Sequence, residues 1–223
     1  MKIHPQGRST ITLFSLVVLL FTSFLSTSLA LPYPYNLIPW GIDIVLVVGF
    51  ILFFRNPQRA LTIDPRAIVS AADGKVVSIE KRMEEEYFHE ERLVIAVFMS
   101  IYDVHVNTTP IAGKVSYTRH HPGKNYPAIN PKSSDLNERY STVITSDQTS
   151  LLVRQIAGIA ARRIHSSIAE GDTVAQGQEL GIIKLGSRVD IYMPLEMEVV
   201  TRVGERVTAG QSVLARIPSQ RKN

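Results

Sequence analysis

No cysteine occurs in the 223-residue chain. Its absence excludes structural disulfides, thiolate catalysis and cysteine-based metal sites together. A chain without disulfides fits the cytoplasm, although it is not confined there. A strong excess of one charge is also missing. Lys and Arg number 24 against 20 Asp and Glu, a net charge of +4. No basic stripe interleaved with aromatics occurs, so the footprint of a nucleic-acid binder is lacking. From about residue 60 onward the 3.6-residue period of amphipathic helices is missing too.

Long apolar runs are present only in the first quarter. Thr10 to Leu31 carries no charged residue, and Leu37 to Phe54 carries one, Asp43. Each is long enough to cross a bilayer as a helix. Between them Pro32-Tyr33-Pro34-Tyr35-Asn36 reads as a stiff turn with interfacial tyrosines, followed by Trp40. Asp43 falls near the start of its run, at interface depth. Lys2 and Arg8 precede the first run, and Arg55, Arg59 and Arg66 follow the second. The connecting turn has no Lys or Arg, so the positive-inside rule predicts a helical hairpin with both ends in the cytoplasm. Ser28 and Ala30 also have the spacing of a signal-peptide cleavage site. On that alternative the second run still delivers Arg55 onward to the cytoplasm. A membrane surface is the natural partner for a mildly basic chain so placed.

About 165 residues remain, a usual size for one domain with its own core. They read as β. Lys75–Ile79, Leu93–Phe98, Thr142–Thr145 and Ser150–Val153 are short β-branched runs bounded by turn pairs such as Asp73-Gly74, Ala112-Gly113 and Pro122-Gly123. Residues 157–168 fit a short helix or a strand. Two weak internal repeats occur. Gly171-Asp172-Thr173-Val174 through Gly177-Gln178 matches Gly204-Glu205-Arg206-Val207 through Gly210-Gln211, and Gly74-Lys75-Val76 matches Gly113-Lys114-Val115. The first pattern resembles the glycine turns of biotinyl- and lipoyl-carrier barrels. No carrier-type lysine tip appears, so the repeat is read as scaffold. Lys81-Arg82-Met83-Glu84-Glu85-Glu86 reads as a solvated charged turn. His120 and His121 read as loop residues rather than metal ligands, and no metal site is expected.

Gly186-Ser187 stands out. A Gly-Ser pair is usually a turn, yet here Ile182–Leu185 precedes it and Val189–Tyr192 follows it, both strand-like. That context predicts a bend or strained bulge inside a strand run. Glycine leaves its carbonyl least shielded, and the next serine places a hydroxyl beside it. An N-to-O acyl shift needs this pairing together with a base.

Leu185-Gly186-Ser187-Arg188-Val189-Asp190, followed by Tyr192 and Pro194, resembles the short form of the phosphatidylserine decarboxylase proenzymes. Three further stretches fit in family order. Phe53-Phe54-Arg55-Asn56-Pro57-x-Arg59 resembles the family's entry to its domain. Ser70-Ala71-Ala72-Asp73-Gly74-Lys75-Val76 resembles its Asp-Gly block, and Val104-His105-Val106-Asn107 its histidine block. Larger members have Thr where Arg188 stands and a second histidine where Tyr102 stands, so no role of that histidine carries over.

The resemblance implies a fold, a chemistry and a place. The fold is mainly β, a biotinyl/lipoyl-like barrel-type domain (residues 55–223) behind a transmembrane hairpin (residues 1–54). The chemistry is self-cleavage between Gly186 and Ser187 into chains 1–186 and 187–223, with Ser187 becoming a covalent pyruvoyl cofactor. For the cut itself the resemblance implies a triad of Ser187, His105 and Asp73, in which carboxylate orients imidazole and imidazole takes the hydroxyl proton. The substrate is phosphatidylserine held in the inner membrane, and the resemblance leaves homo-oligomerisation open. The rival class is a membrane-tethered, carrier-like adaptor domain without catalysis. It accounts for the repeat and the anchor but not for Gly186-Ser187, Asp73 or His105.

The charge asymmetry generates a direct test of topology. Because the chain has no native thiol, Lys132→Cys introduces a single reporter. It should resist a membrane-impermeant maleimide in intact cells and label after lysis. Labelling before lysis reverses the orientation.

Overall fold

A computed structural model describes residues 2–30, 32–124, 126, 136–158, 164–184 and 187–218. The chain divides into two compact units, Met1–Gln58 and Arg59–Asn223.

In the first unit, strand β1 (Lys2–Ile3) is followed by helix α1 (Pro5–Leu29), helix α2 (Ile38–Phe53) and strand β2 (Arg55–Asn56). Both helices are long and apolar enough to cross a membrane. The first starts earlier than the uncharged run suggests. Pro5 suits a first helical turn, and the His4 ring accepts from the Gln6 N–H at 3.2 Å. Arg8 therefore lies inside α1 rather than ahead of it. The helices pack through Phe14 stacked on Phe50 at 4.4 Å. β1 pairs antiparallel with β2 and joins the two ends. Leu13, Leu20, Phe24 and Val45 are exposed, whereas Thr22 and Asp43 are buried. Asp43 is thus shielded within the helical pair.

The named elements of the second unit, among the described residues, are strands. β3 (Ala67–Val69), β4 (Gly74–Glu84), β5 (Glu90–Met99), β6 (Val106–Thr108), β7 (Gly113–His121), β8 (Arg139–Thr145) and β9 (Ser150–Ala157) form its first part. β10 (Ile164–Ser166), β11 (Thr173–Val174), β12 (Glu179–Ile183), β13 (Ser187–Met193), β14 (Glu198–Val199), β15 (Arg206–Val207) and β16 (Val213–Arg216) complete it. Eight strands form one curled sheet in the order β11-β7-β8-β9-β13-β5-β4-β15. Two three-stranded sheets, β10-β12-β6 and β14-β16-β3, accompany it. The four predicted strand runs are present and longer than the β-branched stretches alone. Of the ambiguous 157–168 segment, Ala157 ends β9 and Ile164–Ser166 is a strand. Residues 159–163 lie outside the described residues.

The two sequence repeats fit onto each other. Arg206 and Val207 pair with Lys75 and Gly74, while Thr173 and Val174 pair with Lys114 and Gly113. The Val76 N–H donates to Glu205 at 2.9 Å and the Val115 N–H to Asp172 at 2.8 Å. Gly204 and Gly171 donate back to Val76 and Val115, each at 2.8 Å. Both glycines have positive φ, +91° and +94°, where a side chain is strained. Each repeat therefore clasps one edge of the large sheet.

The core lies between the large sheet and the two small ones. It gathers Ile68, Ile95, Val97, Met99, Leu151, Val153, Leu180, Ile183, Val189, Ile191 and Leu214. Along β13, Val189, Ile191 and Met193 face this core, so by strand alternation Arg188, Asp190 and Tyr192 face the other way.

That opposite face holds the principal departure from the sequence reading. The β4–β5 hairpin curls over it, bringing Tyr87 to 5.2 Å from Tyr117. The Lys81–Glu86 run is not a solvated turn. Glu84 is 1% exposed, and its carboxylate accepts from the N–H groups of Glu86, Tyr87 and Phe88. Glu86 meets Arg154 at 2.8 Å, His121 at 2.7 Å and Ser141 at 2.9 Å. His120 and His121 end β7 instead of lying in a loop, and His120 faces Glu138 at 3.1 Å. Arg82, Glu84 and Glu86 share a face at spacing two, so curling buries the alternate charges while the others stay outside.

Burial works to raise the Glu86 carboxyl, but the His121 hydrogen bond, the Arg154 charge and the Ser141 hydroxyl outweigh it and hold it below its ordinary value. A depressed carboxylate contributes stability above its unfolded pKa and loses it as pH falls through the folded one. Glu86→Gln should therefore lower the melting temperature at pH 7. The gap to the wild type should close as pH drops below about 4.5, read by fluorimetric melting across pH 3–8. A pH-independent gap would assign the loss to packing instead.

Candidate active site

Ser187 is the first residue of β13 and is fully buried. β13 is paired on both sides, and Ser187 faces Met99 on β5 and Ala157 on β9. Its Oγ donates to Met99 Sδ at 3.3 Å. Leu185 and Gly186 lie outside the described residues. What precedes them corrects the reading of a bend or bulge inside a single strand run. Ile182 and Ile183 belong to β12, in a three-stranded sheet, whereas Ser187 opens a strand of the large sheet. The chain thus changes sheets between Ile183 and Ser187. Local sequence does not reveal this, because both flanks have the same strand chemistry.

His105 is fully buried and directly precedes β6. Its Nδ1 lies 2.9 Å from the Asp103 carbonyl oxygen. A carbonyl can only accept, so Nδ1 carries the hydrogen and the neutral ring keeps its basic lone pair on Nε2. The His105 carbonyl accepts from the Ile183 N–H at 3.2 Å. That bond ties the histidine segment to the chain shortly before Ser187.

Asp103 is a residue the sequence reading missed. Its side chain closes the 100–103 turn by accepting from the Ser100 N–H at 2.8 Å and the Ser100 hydroxyl at 2.7 Å. It also forms an ion pair with Arg206. The Ser100-x-x-Asp103 spacing was the available signal, since Asp readily bonds back to a nearby main-chain amide.

Asp73 lies in the segment that docks on β6, where the Thr108 N–H donates to Ala71 at 2.8 Å. Its carboxylate receives both Arg59 guanidinium nitrogens, at 2.5 and 2.6 Å. The Ala209 N–H adds a third bond at 2.9 Å. Fork-to-fork pairing of this kind is strong and directional. In this structure the Asp103 carbonyl holds His105 Nδ1, while Asp73 holds Arg59 and the 208–210 turn.

Two more polar side chains stand beside Ser187. Asn107 Nδ2 is 3.5 Å from Met99 Sδ, and Gln155 Nε2 donates to Asn107 Oδ1 at 2.8 Å. Both are fully buried. Ser187, Met99, Asn107 and Gln155 thus form one buried polar group on the core face. On the opposite face of β13 the Arg188 Nε meets Asp190 at 2.5 Å, also buried. A buried hydroxyl and a buried imidazole with its basic nitrogen fixed by tautomer are components of acyl-transfer chemistry.

Comparison with known proteins agrees. The family model of phosphatidylserine decarboxylases matches residues 48–215. A phosphatidylserine decarboxylase proenzyme of Amoebophilus asiaticus is 42% identical over 222 residues, 99% of this chain and 98% of its own. Those of Cytophaga hutchinsonii and Bacteroides thetaiotaomicron are 44% and 38% identical over 175 and 218 residues. These alignments cover 78% and 97% of this chain, and 80% and 95% of the relatives. With the buried serine, the histidine segment and these relatives in agreement, the chain belongs to the phosphatidylserine decarboxylase family.

Proposed function

We propose that this protein cuts itself between Gly186 and Ser187 and decarboxylates phosphatidylserine to phosphatidylethanolamine. The observation that supports it most is Ser187 itself, a fully buried hydroxyl at the head of the central strand β13. A serine that only turned the chain would have no need of that position.

His105 takes the hydroxyl proton on Nε2, with the Asp103 carbonyl holding Nδ1–H. The hydroxyl oxygen bonds to the residue-186 carbonyl carbon as the peptide C–N bond breaks, and the proton passes to the departing nitrogen, which leaves an ester. Loss of the residue-187 α-proton then expels the residue-186 carboxylate by β-elimination, and water hydrolyses the resulting dehydroalanine, releasing ammonia and leaving a keto group at residue 187. Asp73 takes part by clamping Arg59 and the 208–210 turn around the segment docked on β6. It acts as a positioning residue rather than as the partner of His105.

The residues present fit a pyruvoyl group at position 187. That residue already begins β13, so a new chain terminus forms there without unpairing the strand. Small Ala157 lies opposite, and amide side chains stand near. Such a group supplies the carbonyl that condenses with an amine and accepts the electron pair left as carbon dioxide departs. His105 delivers the proton that replaces the carboxylate.

The helical pair anchors the chain to the bilayer that holds the substrate's acyl chains. We place it in the inner membrane with residues 55–223 in the cytoplasm, on the charge asymmetry of its flanks. The two glycine-turn clasps support kinship with biotinyl/lipoyl-type turns at the sheet edges.

Intact-mass spectrometry tests the cut. The wild type should give residues 1–186 and a 187–223 fragment with a blocked, borohydride-reducible terminus. Ser187→Ala should stay one chain and lose decarboxylation entirely. An active wild type with one uncut chain and an unmodified Ser187 refutes the mechanism.

His105→Ala should slow the cut by about 10²- to 10⁴-fold, the usual worth of a general base. This is read as the time course of fragment appearance in cell-free synthesis. Cutting at the wild-type rate confines His105 to the later proton delivery or to structure.

A further inference from the structure

Gln155 has no part in the cut, yet its environment is unusual. It is fully buried, on β9 opposite Val189, and so on the same sheet face as Ser187, one diagonal step away. Diagonal neighbours lie about 7–8 Å apart, within reach of a long side chain. Its amide orientation is determined by a chain of contacts. Met99 Sδ is an acceptor only, and it meets Asn107 Nδ2. Asn107 therefore presents Oδ1 to Gln155, and Gln155 must present Nε2 to Asn107. Turning either amide over would set oxygen against sulfur or oxygen against oxygen. Gln155 Oε1 is left buried with no hydrogen-bond partner among the described residues. Such an acceptor is destabilising unless a donor arrives later.

We infer that Gln155 contacts the substrate, its Oε1 accepting a hydrogen bond from the headgroup amine at residue 187. This inference rests on the pyruvoyl reading above. The donor follows from the substrate's chemistry. A serine phospholipid headgroup carries a phosphodiester and a carboxylate, both pure acceptors at neutral pH. Its amino group is the only N–H or O–H donor it has. That same nitrogen must reach residue 187 to react. A neutral carboxamide also suits the task better than a carboxylate. It orients the amine without stabilising the protonated ammonium, which cannot attack a carbonyl.

The test uses the full chain in mixed detergent–lipid micelles. Gln155→Leu should be cut at 186/187 like the wild type by intact mass. Trapping of phosphatidylethanolamine on the 187–223 fragment by cyanoborohydride, which reports amine docking without decarboxylation, should fall at least tenfold at subsaturating lipid. KM for phosphatidylserine should rise by about ten- to a hundredfold, the effect of losing one hydrogen bond to a charged or reacting group. Gln155→Glu keeps an acceptor. Its KM should stay near the wild-type value, while the acid limb of its pH–rate profile moves to higher pH.

Three results overturn the inference. In the first, Gln155→Leu traps the lipid and turns over with wild-type KM. In the second, melting falls but KM and trapping of the folded protein do not change, which marks a structural role. In the third, both variants remain uncut, which assigns Gln155 to the precursor. Failure of the pyruvoyl reading itself is distinguishable, because it appears as an uncut wild type before any variant is made.

Discussion

The site depends on one constraint, the double pairing of β13. Seven residues from Ser187 to Met193 are bonded to β5 on one side, and six of them to β9 on the other. A residue at the head of such a strand has almost no freedom. Its side chain can point only to the core face, and its neighbours are set by register. Met99, Ala157 and the Asn107–Gln155 pair stand around Ser187 for that reason. The ladder also orders events. Residues 187–193 have no partners until β5 and β9 are in place, so the proposed cut at their head would be a step taken by folded protein. After the proposed cut the short chain would stay bound through both ladders, through β15 on β4 and through β16 on β3.

Alternation along the same strand separates two environments. Val189, Ile191 and Met193 face an apolar core, while Arg188, Asp190 and Tyr192 face the hollow under the β4–β5 hairpin. Arg154 links that hollow together, bonding the Tyr192 hydroxyl at 2.9 Å and the Glu86 carboxylate at 2.8 Å. Buried charges of this kind add little net stability but strongly disfavour alternative pairings. A slip of one residue in β13 would drive Arg188 and Asp190 into the core and Ser187 out of it. The ion network therefore protects the register on which the serine depends.

Much of this was legible in the sequence, for identifiable reasons. Strands were visible as β-branched runs, and the two repeats were visible because a positive-φ turn demands glycine. Ser187, His105 and Asp73 each stand in a short motif that survives without its context. The remainder turned on long-range geometry. Nothing local distinguishes Ile183 in one sheet from Ser187 in another. The charge run at 81–86 looks solvated because its burial comes from curling across three intervening strands. Asp73 pairs with Arg59, which stands in a separate stretch of the resemblance that nothing local connects to it. Gln155 sits in an apolar run and becomes notable only once its open oxygen is seen.

The glycine clasps have a consequence of another kind. The outermost strands of the large sheet, β11 and β15, are two residues long each. Edge strands this short offer few free amides and carbonyls to a neighbouring molecule. At residues 74–75 and 113–114, where β4 and β7 begin, the outer edge is already taken by the chain's own turns.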